Sequence, residues 1–162
     1  MNINPAVVRV GMLIPYACVR EEQPLGTDGG TFTAGAWQAR TLNTKQHDGQ
    51  NIVALSANRM TLAAGTYICE IAAPAYNTNF VQARLQNVTD ATTVLLGMSQ
   101  YCGSVFGNGM LSGYVWGKFT IAAGKQLEVQ QQCSTTSATY GFGVAAGFTT
   151  EIYTIVELWK VA

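Results

Sequence analysis

The chain has 162 residues, with nine basic and nine acidic side chains and a formal net charge of zero. Only 11% of residues are charged, against about 25% in an average soluble domain. No basic stripe exists, so phosphate-driven nucleic-acid binding is not expected, and no apolar run approaches the ~20 residues that a membrane-spanning helix needs.

One domain is expected at this length, large enough to bury ~70% of the surface its unfolded form exposes. The start, Met1-Asn2-Ile3-Asn4-Pro5, lacks the charged region and long apolar stretch of an export signal, so synthesis in a cytoplasm is expected. Cys18, Cys69, Cys102 and Cys133 are widely spaced with no CxxC. They are expected as buried free thiols behaving as small hydrophobes. A Cys102–Cys133 or Cys18–Cys69 bridge stays open.

Residues 1–28 differ from the rest and are read as an arm and linker. Ala6-Val7-Val8-Arg9-Val10 and Met12-Leu13-Ile14 are short apolar runs. Arg20-Glu21-Glu22-Gln23-Pro24 and Gly26-Thr27-Asp28-Gly29-Gly30 read as exposed linker. The apolar part is either a first strand or a docking arm that grips a neighbour through Val7, Val8, Val10, Leu13 and Ile14.

From residue 29 to 162 strand signals follow one another at sandwich spacing. Residues 32–42 read as one long strand, and residues 43–51, carrying Asp48-Gly49, as a polar turn. Residues 52–55 and 59–62 follow. Residues 61–66 read Thr-Leu-Ala-Ala-Gly-Thr, and residues 120–125 repeat the phrase as Thr-Ile-Ala-Ala-Gly-Lys. Each copy follows a large apolar residue, Met60 or Phe119, and precedes an alternating run. The pattern predicts strand, tight turn, strand, with glycine supplying a positive φ. Residues 67–76 form the next strand. Residues 80–87 alternate most cleanly, with Val81, Ala83 and Leu85 on one side and Gln82, Arg84 and Gln86 on the other, as in a half-buried antiparallel strand. Residues 93–100, 113–121 and 126–133 complete the middle of the chain, around a glycine-rich loop over 103–113.

The closing strand, residues 150–161, is apolar on both faces. Ile152, Thr154, Val156 and Leu158 lie on one, and Tyr153, Ile155, Glu157 and Trp159 on the other. One face of a sandwich strand meets the core. The other needs a cover, either a loop or a second copy of the chain, which makes Tyr153, Ile155 and Trp159 candidate self-association residues. No segment of useful length has helical period, so the fold class is all-β.

Chemistry-bearing patterns are sparse. The one histidine, His47, sits beside Asp48 in a polar stretch and reads as surface. There is no G-x-S-x-G elbow, Cys102 has no base placed beside it, and no two carboxylates are spaced for acid–base work. No catalytic residue, cofactor or metal ligand set is assigned. Gly141 to Gly147 has the wrong spacing and context for a phosphate loop.

The order of motifs nevertheless resembles one family. These are Thr31-Phe32-Thr33-Ala34-Gly35-Ala36-Trp37-Gln38-Ala39-Arg40, then Leu62-Ala63-Ala64-Gly65-Thr66-Tyr67 and Ala73-Pro74-Ala75-Tyr76, then Gln82-Ala83-Arg84-Leu85-Gln86-Asn87 and Thr139-Tyr140-Gly141-Phe142-Gly143. The last is Tyr153-Thr154-Ile155-Val156-Glu157-Leu158-Trp159-Lys160. Over roughly residues 29–160 this is similar to bacteriophage virion proteins carrying the jelly roll of the tumour necrosis factor and complement globular-head superfamily. The resemblance implies an antiparallel two-sheet sandwich that trimerises with its last strand in the sheet near the three-fold axis.

Such heads occur in capsid decoration proteins and head spikes, and at the ends of tail fibres and adhesins. About 30 residues before the head favour a short docking arm over a fibre shaft. The leading expectation is therefore a non-enzymatic structural virion protein: a homotrimeric capsid-decoration or head-spike subunit partnered by the major capsid protein or another virion protein. The alternative is a receptor-binding head recognising a host surface glycan or protein. Tyr76, Tyr101, Phe106, Tyr114, Trp116 and Tyr140 would then be loop residues that stack on the ligand. They could equally fill the sandwich ends or a subunit interface.

Overall fold

The computed structural model describes residues 14–103 and 110–162. Twelve strands are present among the described residues: β1 (Tyr16–Gln23), β2 (Gln38–Ala39), β3 (Thr44–Asp48), β4 (Ala54–Ser56), β5 (Arg59–Leu62), β6 (Gly65–Tyr76), β7 (Asn79–Asn87), β8 (Thr92–Leu96), β9 (Gln100–Cys102), β10 (Met110–Ile121), β11 (Lys125–Cys133) and β12 (Glu151–Lys160). They form two antiparallel sheets. The five-stranded sheet has the order β10-β6-β12-β1-β3. The seven-stranded sheet runs β4-β5-β11-β7-β8, with β2 added on β11 and β9 on β7. Alternation along each strand sends one set of side chains between the sheets and the other outward.

The repeated phrase has a different meaning from the tight hairpin expected of it. In each copy the Ala-Ala-Gly step carries the chain from one sheet to the other: β5 to β6 in the first, β10 to β11 in the second. The two copies lie side by side and antiparallel. Leu62 pairs with Lys125 in one sheet and Gly65 with Ile121 in the other, while the hydroxyls of Thr66 and Thr120 meet at 3.0 Å. The repeat is thus one corner of the sandwich built twice. Glycine is needed at Gly65 chiefly for close approach, because a Cβ there would lie 2.8 Å from the Ala162 carbonyl oxygen.

Three other expectations are corrected. Residues 20–23 are not linker. They finish β1, which sits inside the five-stranded sheet between β12 and β3, so the expected boundary at residue 28 cuts through the domain. The charged run hides this strand because its register against β12 slips between Arg20 and Glu22. Such a bulge re-aims a side chain: Arg20 and Glu22 pair with each other, part-buried, while Glu21 is buried at 2% exposure. Residues 32–42 are not one strand. Phe32 makes a single bridge to Ser137, Gly35 turns at φ +101°, and only Gln38–Ala39 pairs with β11. Residues 44–48, read as turn, are strand β3.

The main core lies between the sheets and includes Met60, Leu62, Tyr67, Ile71, Leu85, Phe119, Leu127, Val129, Val156 and Leu158. Each such aliphatic contributes ~1.5–3 kcal/mol by leaving water. A smaller cluster at one end joins Phe32, Ala75, Val81, Cys102 and Cys133, with Phe142 stacked on Phe32 at 4.4 Å. All four cysteines are buried free thiols, and burial pushes the Cys69 thiol up.

Arg40, 1% exposed, is the polar tie between the sheets. Its guanidinium donates to Glu21, Thr154 and the Pro74 carbonyl of the five-stranded sheet, and to Gln131 of the seven-stranded one. It also lies 4.2 Å over the Phe142 ring. Burial pushes its pKa down to about 10, and Glu21 opposes the shift. A buried cation with every donor occupied is how this core accommodates a charge at all.

Candidate self-association face and surface groove

The outer face of the five-stranded sheet is organised in cross-strand rows. Strand pairing aligns Tyr114, Ala72, Ile155 and Arg20 in one row. The next holds Trp116, Glu70, Glu157, Cys18 and His47. The third holds Lys118, Ile68, Trp159 and Tyr16. Trp116 is 70% exposed, and Tyr114 and Ile68 are also exposed. A shallow depression of about 250 Å3 between Tyr114, Ala72 and Ile155 indents the surface.

Toward β3 the aromatics pack on one another. Tyr16 stacks on His47 at 5.5 Å and leans on Trp159 at 5.4 Å. The Tyr16 hydroxyl donates to Glu157 at 2.9 Å. Burial, reinforced by that carboxylate, pushes the Tyr16 phenol up, and burial likewise raises the Cys18 thiol.

Of the three expected self-association residues, Ile155 and Trp159 lie on this face, half-buried. Tyr153 does not belong to it. Its ring packs against Gly143, where a Cβ would come within 2.3 Å, and its hydroxyl donates to the Thr27 carbonyl at 2.7 Å. The chain's own loops therefore seal that end of β12. The carboxylate of Glu151 holds them there by accepting from the backbone N–H groups of Gly26, Ala146 and Gly147, and these bonds lower its pKa.

The expected loop aromatics scatter. Tyr114 and Trp116 are mid-strand residues of β10 and join the aromatic rows. Tyr76 closes β6 and meets Tyr140 edge-on at 6.1 Å. Tyr101 stands on β9 beside Phe80 at 5.1 Å, on the other sheet. Phe106 lies outside the described residues, as do Val7, Val8, Val10 and Leu13 of the expected arm. Ile14 is exposed. Sequence reasoning missed Tyr16 and Ile68 on the aromatic face, and Trp37 and Phe80 elsewhere. Phe80 could have been found, since it begins the outward-facing side of the 80–87 alternation.

The outer face of the seven-stranded sheet is different in kind. Arg59 reaches Glu128 at 3.3 Å, Arg84 bonds Gln130 at 2.8 Å and Thr93 at 3.1 Å, and Gln130 donates to Glu128. At one end this polar lattice opens into a groove of about 820 Å3 between β7, β9, β11 and the 34–37 loop. Among the described residues, no group of three or more His, Cys, Asp or Glu side chains is arranged to hold a metal ion.

No family model matches the sequence, and no curated protein matches it either. Solved structures do match. The globular domain of zebrafish complement 1qA superposes with TM-score 0.57 at 15% identity, covering 91% of this chain and 98% of that one. Murine APRIL gives 0.60 at 9% identity, covering 91% and 99%. The PRD1 vertex protein P5 gives 0.54 at 11% identity, covering 92% and 98%. The chain is thus an antiparallel jelly roll of the tumour necrosis factor and complement 1q type. At these identities the likeness is one of fold.

Proposed function

We propose that this domain is the head of a homotrimeric structural virion protein, a capsid-decoration or head-spike subunit, whose copies pack through the outer face of the five-stranded sheet. The observation that carries the reading is the set of aromatic rows, Tyr114, Trp116, Ile68, Trp159 and Tyr16, left on an otherwise complete sheet. Contiguous apolar patches beyond a few hundred Å2 are rare on monomers and mark association surfaces. Aromatics of this kind are the residues that dominate such interfaces. The fold shared with the PRD1 vertex protein P5 supports a place on a virion.

Three copies also present three N-terminal segments, carrying Val7, Val8, Val10 and Leu13. Once one has docked on a shell, the others bind at high effective concentration. A protein that binds only the assembled lattice stabilises it by mass action. The test combines sedimentation of the purified chain with labelling of parent particles by an antibody against it. A species three times the 17.3 kDa chain mass, together with label on the particle head, is expected. Removing residues 1–13, which leaves β1 whole, should keep the trimer and abolish decoration. A single-copy species at micromolar concentration would refute the assembly, and full decoration by the truncated chain would refute the arm.

The receptor-binding alternative draws its support from the opposite sheet, where aromatic side chains wall an open groove.

A further inference from the structure

We propose that this groove on the seven-stranded sheet is a binding site for a neutral oligosaccharide. The proposal uses residues of one copy only and rests on neither the trimer nor the virion reading.

The groove has two aromatic walls. One is the pair of Phe80, 66% exposed, and Tyr101, whose rings tilt together at 5.1 Å. They are directly opposed in the β7–β9 ladder, so the backbone fixes their spacing. The other wall is Trp37. The Arg84 guanidinium lies 4.2 Å over its ring, and Arg84 is itself held by Gln130 and Thr93. The loop that presents Trp37 turns at Gly35 and is tied down by the Ala34 N–H to Thr136 and by Gln38 to the Thr33 carbonyl. Both walls therefore stand in place without a ligand, which lowers the ordering cost of binding.

The floor is uncharged and sets amides beside the apolar Val81 and Cys133. Gln82 and Gln132 face each other in the β7–β11 ladder. The Gln82 amide nitrogen donates to the Gly97 carbonyl at 2.9 Å, which fixes its orientation. Among the described residues, the Gln132 amide, the Tyr101 hydroxyl and the Ser99 hydroxyl have no hydrogen-bond partner. Among the described residues no Asp, Glu, Lys or Arg lines the groove, and the nearby Arg84 is already bonded to Gln130 and Thr93.

These features fit a sugar. A pyranose has an apolar C–H face that lies on an aromatic ring and a rim of hydroxyls that both donate and accept. Amides and hydroxyls answer such a rim because each also carries a donor and an acceptor. A volume of about 820 Å3 is within the ~300–1,000 Å3 of ligand sites and leaves room for more than one ring. A proline-rich peptide also docks between aromatics, but it offers carbonyl acceptors alone and would leave half of this floor's capacity unused.

The test titrates the full chain with a panel of neutral oligosaccharides of glucose, galactose, mannose, rhamnose and N-acetylglucosamine, with decaproline as comparison. Side-chain amide and indole resonances are followed by NMR. At least one saccharide should shift the Trp37 indole and Gln132 amide signals with a dissociation constant near ~1 mM. Tyr101→Ala and Gln132→Ala, both at the surface, should each weaken it about tenfold at an unchanged urea midpoint. Trp116→Ala, on the opposite sheet, should leave it as it was. The proposal fails if no saccharide shifts these signals at about 20 mM, if the groove variants bind as tightly as the parent, or if decaproline binds and the saccharides do not.

Discussion

The two sheets share one core but end in opposite surfaces. Outside the five-stranded sheet, rows of aromatic and aliphatic side chains are broken by Arg20, Lys118 and two carboxylates, Glu70 and Glu157, the last two aligned directly across β6 and β12. Outside the seven-stranded sheet, charged and amide groups satisfy one another, as Arg59 does Glu128 and Arg84 does Gln130. Both sheets obey the same alternation, so the fold alone does not say which face meets another molecule. The chemistry of the outward set does. One face has apolar area in need of a cover, and the other is finished except where the groove opens.

The largest expected effect comes from cutting the tie between the sheets. Arg40→Met leaves the Glu21 carboxylate buried at 2% exposure with its cation gone. Losing one partner of a buried pair costs ~3–5 kcal/mol. The urea midpoint should fall accordingly, and both faces should be lost together in one transition. Adding Glu21→Leu should recover much of the loss, since replacing both charges by packed apolar groups is often near neutral. If Arg40→Met alone is well tolerated, the two sheets are held by the apolar core and the polar tie is incidental.

Second is the asymmetry of the faces in assembly. Trp116→Glu puts a charge at the β10 end of the middle row and should weaken self-association by at least ~2 kcal/mol, the scale of an interface hot spot. Gln130→Glu, the matching change on the other sheet, should leave the sedimenting mass unchanged. Equal losses from the two, or none from Trp116→Glu, would erase the distinction between the surfaces.

How much of this could be read from the residues depended on what each residue faced. The long alternations fixed β6, β7, β10, β11 and β12 to within a few positions, because a half-buried strand writes its own period into the chain. Glu21 and Arg40 were opaque for the opposite reason. Each is charged, each looks like surface, and each is buried only because the other is there, 19 positions away. Tyr153 shares its parity with Ile155 and Trp159, so alternation grouped the three. Only the fold shows Gly143 and Thr27 lying over the tyrosine. Trp37 and Tyr101 are 64 residues apart in number and share a groove only because β9 and the 34–37 loop flank the same end of β7 and β11.

That covered end of β12 gives a pH test. In the folded state, the backbone N–H groups of Gly26, Ala146 and Gly147 favour the ionised Glu151 and lower its pKa below the ordinary 4.5. A depressed carboxylate contributes stability that is complete above its unfolded value and is lost as pH falls through the folded one. Glu151→Gln should therefore be less stable than the parent at pH 7, and the two melting temperatures should converge as the pH drops below about 4. The proposed self-association should survive at pH 7, because Glu151 supports loops over Tyr153 and not the open rows. A constant gap at all pH values would mean that the bonds stabilise the loops without regard to the charge.

The smallest effects should differ in sign between the faces. Glu70 and Glu157 sit directly opposite on neighbouring strands, and like charges so placed are destabilising. Glu70→Gln should raise the stability of the single copy by ~0.2–1 kcal/mol, measured under dilute conditions at low salt. Glu128 instead has Arg59 at 3.3 Å and the Gln130 amide beside it. Glu128→Gln should lower stability, by ~0–1 kcal/mol for so exposed a partner. Both differences should shrink in 1 M salt, where the screening length falls to about 3 Å. Opposite signs that converge with salt would show that one surface carries an unrelieved electrostatic cost while the other has already answered its own. The same sign on both would mean that the carboxylates of the aromatic rows are already neutralised by something in the free chain, and that face would need no partner on electrostatic grounds.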